Sequence, residues 1–123
     1  MNRIIKIAII GLGQVGNFLY REINLKKKEI EIKTGSKIKI VAISAKNKNK
    51  KRKYQINKKI FFSDPYKIIK EIKPDILFEV IGLADGISKK VVETALKNKI
   101  HVITPNKALI AKHGNSLAKI AEE

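Results

Sequence analysis

The sequence predicts an α/β protein built on an open, doubly wound, mostly parallel sheet. Three observations lead there. Short β-branched runs, each closed by glycine or a turn, alternate with segments whose apolar residues recur at helical spacing. The segments between the runs are long enough for crossovers, which parallel strands need and hairpins do not. The chain has 123 residues, a length that suits one domain, so residues 1–123 are taken as one unit.

The elements follow in order. Arg3–Ile10 (RIIKIAII) is a β-branched run closed by Gly11 and reads as a buried strand. After Gly13 the period changes, and Val15, Phe18, Leu19 and Ile23 form the apolar stripe of a helix. Residues 26–37 are polar, with Thr34-Gly35-Ser36 as a turn, and the alternation Glu29-Ile30-Glu31-Ile32 suggests a short hairpin arm. Lys37–Ile43 is a second strand, and 46–59 a basic loop. Ile60-Phe61-Phe62 is a short third strand. Asp64-Pro65 opens a helix, Asp as cap and Pro at the first position, where its missing N–H costs nothing. Ile68, Ile69 and Ile72 give that helix its buried stripe and Pro74 ends it. Asp75–Ile81 is a further strand, then comes a helix marked by Ile87, Val91, Ala95 and Leu96, then a strand over Ile100–Thr104. The remainder is helical, interrupted at Gly114, where His113 and Gly114 suit a helix carboxyl end. Right-handed crossovers between these strands give the doubly wound arrangement.

Composition narrows the possibilities. A hydrophobic fraction of 44% suits a folded core and not a disordered tail. The absence of cysteine excludes disulfides, zinc–thiolate sites and thiol nucleophiles. No apolar run approaches the ~20 residues of a membrane span, and the start lacks a small-residue cleavage site. The expectation is a cytoplasmic protein that does not engage a membrane. There is no metal-ligand cluster, Ser-His-Asp order or paired-carboxylate signal. His101 opens a strand with no second ligand or base nearby.

The net charge of +16 invites a nucleic-acid partner. The excess is nearly all lysine, however, and the arginines that read base edges are confined to Arg3, Arg21 and Arg52. The lysines are spread along the chain beside abundant isoleucine, and both residues have A/T-rich codons. A drifted, solvated surface is therefore favoured over a nucleic-acid face. One cluster, 46–53, stands apart.

Gly11-Leu12-Gly13-Gln14-Val15-Gly16 has the G-x-G-x-x-G spacing between a predicted strand and a predicted helix, the context of a Rossmann-type dinucleotide-binding domain. Gly11 permits the tight turn. Gly13 leaves room for a pyrophosphate against the backbone, and Gly16 lets the helix pack closely on the sheet. The helix N–H groups and positive dipole end then hold the anion. The alternative is a glycine-rich turn that binds nothing.

The end of the second strand reads Ile43-Ser44-Ala45-Lys46-Asn47-Lys48, without the acid that accepts the ribose 2′-OH of NAD. Ser44 is short and Lys46 and Lys48 are cationic, so a 2′-phosphate is accommodated and NADP(H) is favoured over NAD(H). A solvated basic loop is the competing explanation. Glu79-Val80-Ile81-Gly82-Leu83-Ala84-Asp85-Gly86 ends another strand with two glycines, which either let a dinucleotide lie over the backbone or make a simple strand-to-helix turn. Glu79, on a buried strand, needs a backbone N–H or a basic group as partner. Lys107, after Thr104-Pro105-Asn106, is either a residue beside the nicotinamide that polarises a carbonyl or moves a proton, or one more exposed lysine.

Taken together, the blocks at 11–16, 43–52, 79–82 and 101–114 (HVITPNKALIAKHG) resemble the amino-terminal domain of homoserine dehydrogenase over nearly the whole chain. The last block is the most specific, and it weighs against other two-domain dehydrogenases. The resemblance implies interconversion of L-homoserine and L-aspartate 4-semialdehyde with NADP or NAD, on the route to threonine, methionine and isoleucine. It implies that residues Gly11 to Gly16 bind the pyrophosphate, with Leu12, Gln14 and Val15 contributing backbone groups. Ser44 to Lys46 would meet the adenosine ribose or its phosphate. Gly82 would lie near the cofactor, and Lys107 near nicotinamide and substrate as the candidate catalytic residue. Family members continue into a catalytic and dimerisation domain that supplies the main acid/base residues. The expectation is thus a chain that ends before that domain, binds cofactor without turnover, and forms a homo-oligomer only with that domain present.

Overall fold

The computed structural model describes residues 3–46, 51–52, 55–83 and 85–123. Five strands form one parallel sheet in the order β3-β2-β1-β4-β5. They are β1 (Arg3–Ile10), β2 (Ser36–Ser44), β3 (Phe61–Phe62), β4 (Ile76–Glu79) and β5 (His101–Ile103). Each strand is continuous and rich in β-branched or aromatic residues, as expected where both faces are covered. The helices are α1 (Gln14–Thr34), α2 (Pro65–Lys67, continued by a π-helical turn over Ile68–Ile72), α3 (Ile87–Lys97) and α4 (Lys107–Glu122).

Alternation along the central strand sorts the core into two layers. Ile7 and Ile9 point with Ile40 and Ile43 toward Tyr20 and Ile23 of α1. Ala8 and Ile10 point the other way, with Ala42 and Leu77, toward Ile68, Ile69, Val91 and Ala95. The sheet is thereby wound on both sides. A third cluster, Val92, Leu109 and Leu117, seats α4 on α3. Ile9, Ile43, Ile68, Ile69 and Leu77 are fully buried, and each side chain of this kind stabilises the fold by about 1.5–3 kcal/mol.

The β1–β2 register shifts between Ile7 and Ala8, which pair with Ile40 and Ala42. Val41 is the extra residue of a bulge, which adds local twist just before the strands reach their carboxyl ends.

Four local expectations change. Residues 29–32 are not a hairpin arm: α1 continues through them to Thr34 and stops at Gly35, whose N–H returns to the Glu31 carbonyl. Lys and Glu are good helix formers, and Lys33 pairs with Glu29 at 3.0 Å one turn back. This leaves Ile32 on the solvent side, 83% exposed. Gly114 does not interrupt the last helix, and His113 is no helix end: α4 runs unbroken from Lys107 to Glu122. One glycine costs less than the packing of Leu109 and Leu117 on Val92 contributes. The strands near 75–81 and 100–104 are shorter than expected, Ile76–Glu79 and His101–Ile103, because the chain turns to form the site described next. Ile60 belongs to a 3-10 turn (Lys58–Ile60) and not to β3. The Asp64–Pro65 start is as expected, the Asp64 side chain accepting from the Tyr66 N–H at 2.9 Å. Of the basic loop, residues 47–50 and 53–54 lie outside the described residues. Among the described residues no helix is long and apolar enough to cross a membrane.

Candidate nucleotide-binding site

The strand order reverses between β1 and β4: from β1 the chain proceeds outward to β2 and β3, then returns to β4 and β5. Doubly wound sheets bind ligands at that switch point, beyond the strand carboxyl ends. A groove of about 590 Å³ lies there. Its walls include Gly11, Leu12 and Gly13 after β1, Ser44 and Lys46 after β2, Val80, Ile81 and Leu83 after β4, and Arg52.

The three glycines of the first turn do different things. Gly11 has φ +105°, and a Cβ there would meet the backbone of Val80 at 2.8 Å. Its N–H donates to the Ser44 carbonyl at 2.7 Å, tying the turn to β2. A Cβ on Gly16 would run into the Gly11 carbonyl oxygen, so this residue sets how closely α1 approaches the strand. Gly13 is the N-cap of α1, receives no side-chain cap, and has nothing within 4 Å of where its Cβ would stand. The first turn of α1, without a side-chain cap among the described residues, and the open space beside Gly13 are what an anion at a helix amino end requires. A pyrophosphate fits that corner.

At the end of β2, Ser44 is buried and Lys46 exposed. Arg52 joins them, its Nε donating to the Leu12 carbonyl at 3.4 Å. Sequence reasoning did not single out Arg52. The available signal was its place as the one arginine in a run of lysines, and nothing in the spacing says that it folds back onto the glycine turn. Among the described residues no carboxylate lines the groove.

Past β4, the fully buried Glu79 is held by four donors. Its Oε2 accepts from the N–H groups of Ile81 (2.8 Å) and Gly82 (3.2 Å). Its Oε1 accepts from Thr104 Oγ1 (2.7 Å) and Asn106 Nδ2 (3.3 Å). The partner expected for Glu79 is thus backbone amide and neutral side chain. Asn106 also donates to the Leu83 carbonyl at 2.6 Å and caps α4 by accepting from the Leu109 N–H at 3.0 Å. Ser88 Oγ accepts from the Leu83 N–H at 3.0 Å. The turn after β4 is therefore fixed from several sides. Two residues on, Asp85 meets Lys112 Nζ at 2.6 Å and His113 Nε2 at 2.7 Å. Hydrogen bonds from Lys112 and then His113 hold its carboxyl below the ordinary value of 3.8.

Of the expected site residues, Gly11, Leu12, Gly13, Ser44 and Lys46 converge on the groove. Gln14, Val15 and Gly16 form the first turn of α1 behind it. Gly82 (φ +92°) is exposed between two groove residues. Lys107 is exposed at the first position of α4, directly after the Asn106 cap, and does not line the groove.

Sheet order, switch-point groove and open glycine cap define a Rossmann-type domain of the nucleotide-binding class. The homoserine dehydrogenase NAD-binding domain family model matches residues 11–123, so the chain belongs to that family. It is 30% identical over 119 residues to homoserine dehydrogenase of Neisseria gonorrhoeae, covering 97% of this chain and 27% of that protein. The Bacillus subtilis homoserine dehydrogenase gives the same identity and coverage. The crystal structure of Staphylococcus aureus homoserine dehydrogenase at pH 7.5 superposes with a TM-score of 0.89 at 35% identity, over 98% of this chain and 31% of its own. A hyperthermophilic archaeal homoserine dehydrogenase solved in complex with NADPH shares the fold, with a TM-score of 0.73 at 21% identity, over 97% of this chain and 41% of its own. The chain thus spans about 27% of the length of the curated relatives it matches.

Proposed function

We propose that residues 1–123 form the NADP(H)-binding unit of a cytoplasmic enzyme that interconverts L-homoserine and L-aspartate 4-semialdehyde, on the route to threonine, methionine and isoleucine. The observation that carries the proposal is the uncapped start of α1 beside Gly13, facing a groove that two cations border and no described carboxylate lines. Family membership supplies the reaction class.

In this assignment Gly11, Leu12, Gly13, Gln14, Val15 and Gly16 form the pyrophosphate corner. Gly11 and Gly16 shape the backbone, and Gly13 leaves the approach open. The cofactor supplies hydride exchange at its nicotinamide; binding and orientation fall to the protein. Ser44 and Lys46 at the end of β2 and Arg52 beside the glycine turn line the same groove, where a 2′-phosphate needs hydrogen-bond donors and positive charge. NADP is therefore favoured over NAD. Val80, Ile81 and Leu83 give the path past β4 an apolar wall. Gly82 presents backbone to that path, and Lys107, at the start of α4 and outside the groove lining, is assigned to the nicotinamide end and the substrate on the family resemblance. The chain spans about 27% of the length of its curated relatives, and the acid/base groups of turnover are assigned to the remaining length of such proteins.

The test compares NADPH and NADH titrations by nicotinamide fluorescence. Tighter binding of NADPH is expected. Lys46→Ala should bring the two affinities together, losing about 1–2 kcal/mol, or roughly tenfold, on NADPH alone. Equal affinity in the unaltered chain would remove the NADP preference. Failure of both nucleotides to bind would remove the cofactor site itself.

A further inference from the structure

Four donors converge on one buried carboxylate, and they come from two separate segments. Ile81 and Gly82 belong to the turn that walls the groove, while Thr104 and Asn106 belong to the segment that starts α4. Each segment takes one oxygen of Glu79, so rotation of the carboxylate cannot satisfy one side without disturbing the other. A carboxylate suits this place because it only accepts; an amide would turn its NH2 toward donors on one side. Asn106 closes the circuit. The same side chain that reaches Glu79 also donates to the Leu83 carbonyl and caps α4, one residue before Lys107.

We propose that Glu79 is a positioning residue that couples the nucleotide-facing turn after β4 to the amino end of α4, so that occupancy of the groove is transmitted to Lys107. This rests on the groove being the nucleotide site. Deleting a shared buried acceptor or one of its donors disturbs all members of such a network, beyond the pair that is cut. Lys107 needs no contact with the groove in this scheme: the rigid cap at Asn106 moves it.

The test uses the whole chain and two substitutions at Thr104. Thr104→Val removes the hydroxyl that donates to Glu79 and accepts from the Asn106 N–H at 3.0 Å, and Thr104→Ser keeps both bonds. The first arm contains no nucleotide and follows amide hydrogen exchange by NMR. Thr104→Val should raise exchange at the Ile81 and Gly82 amides by about fivefold, the loss expected for one hydrogen bond, although Thr104 touches neither. Thr104→Ser should restore protection, and the Ile9 and Ile43 amides should keep theirs in both variants, which separates coupling from general loosening. Unchanged exchange at Ile81 and Gly82 in Thr104→Val overturns the coupling. The second arm adds saturating NADPH and follows the Lys107 amide resonance. It should shift in the unaltered chain and in Thr104→Ser, with less than about half that shift in Thr104→Val. Shifts confined to the glycine turn of the unaltered chain, with Lys107 unmoved, overturn the coupling. No shift anywhere overturns the nucleotide reading instead, and the exchange arm then decides the coupling by itself.

Discussion

A methyl group on Gly16 has nowhere to go, because the Gly11 carbonyl oxygen already occupies its position. A methyl group on Gly13 meets nothing. This contrast separates a glycine that the fold needs from one that is needed only by the nucleotide of the proposed function. Gly16→Ala should lower stability by about 1–3 kcal/mol, the usual cost of overpacking, read as a fall in the midpoint of urea unfolding. Gly13→Ala should leave that midpoint nearly unchanged, since its φ of −74° suits any residue. It should nevertheless weaken NADPH about tenfold, because the methyl group intrudes where the anion approaches. The glycine turn was legible in the sequence because its spacing and its strand–helix context are both local. Arg52 was not, because it reaches Leu12 from forty residues away in sequence, a contact that local pattern does not describe. Glu79 was legible as a buried acid in want of a partner. The identity of its partners was not, because Thr104 and Asn106 come from the other side of α3.

At the scale of elements, the sequence misled where one pattern fitted two structures. The alternation at 29–32 suits a strand as well as the exposed last turns of a charged helix; α1 propagates through these good helix formers to Gly35, and the Lys33–Glu29 pair adds a little to it. Gly114 resembled a stop signal, yet α4 continues because its stripe packs on α3. A Cβ at Gly114 would touch only Ile110 Cγ2, at an ordinary 3.5 Å. Gly114→Ala should therefore stabilise the chain by about 0.5–1 kcal/mol in thermal or urea unfolding. The tether from Asp85 to Lys112 and His113 gives α4 a pH-dependent hold on the turn preceding α3. The carboxyl lies below its ordinary value in the folded chain, so its contribution is present above 3.8 and fades as the pH falls through the lower folded value. Asp85 is well exposed, so the effect is small. Asp85→Asn should lower the melting temperature slightly at pH 7, and the gap between variant and unaltered chain should close as the pH drops below 3.8.

At the scale of the whole molecule, the doubly wound sheet was readable because alternating strand and helix patterns leave few topologies for parallel strands. The order β3-β2-β1-β4-β5 then fixes where the groove must be, at the carboxyl ends of β1 and β4. What the groove is for rests on its chemistry: bare amide at one corner, cations at another, apolar walls between. The +16 charge is ordinary for that role only if it is mostly solvated surface. The 123-residue chain, about 27% of its relatives' length, is expected to bind NADPH without oxidising homoserine, checked by absorbance at the reduced-nicotinamide band. Measurable turnover would show that the remaining length of the relatives is dispensable. The central claim is that a dinucleotide docks its phosphates at the start of α1, and amide NMR of the isotopically labelled chain during an NADPH titration tests it most directly. The largest shifts should fall on Gly13, Gln14 and Val15, saturating together with those of Ala45 and Lys46. Shifts centred elsewhere, or none at millimolar nucleotide, would contradict it.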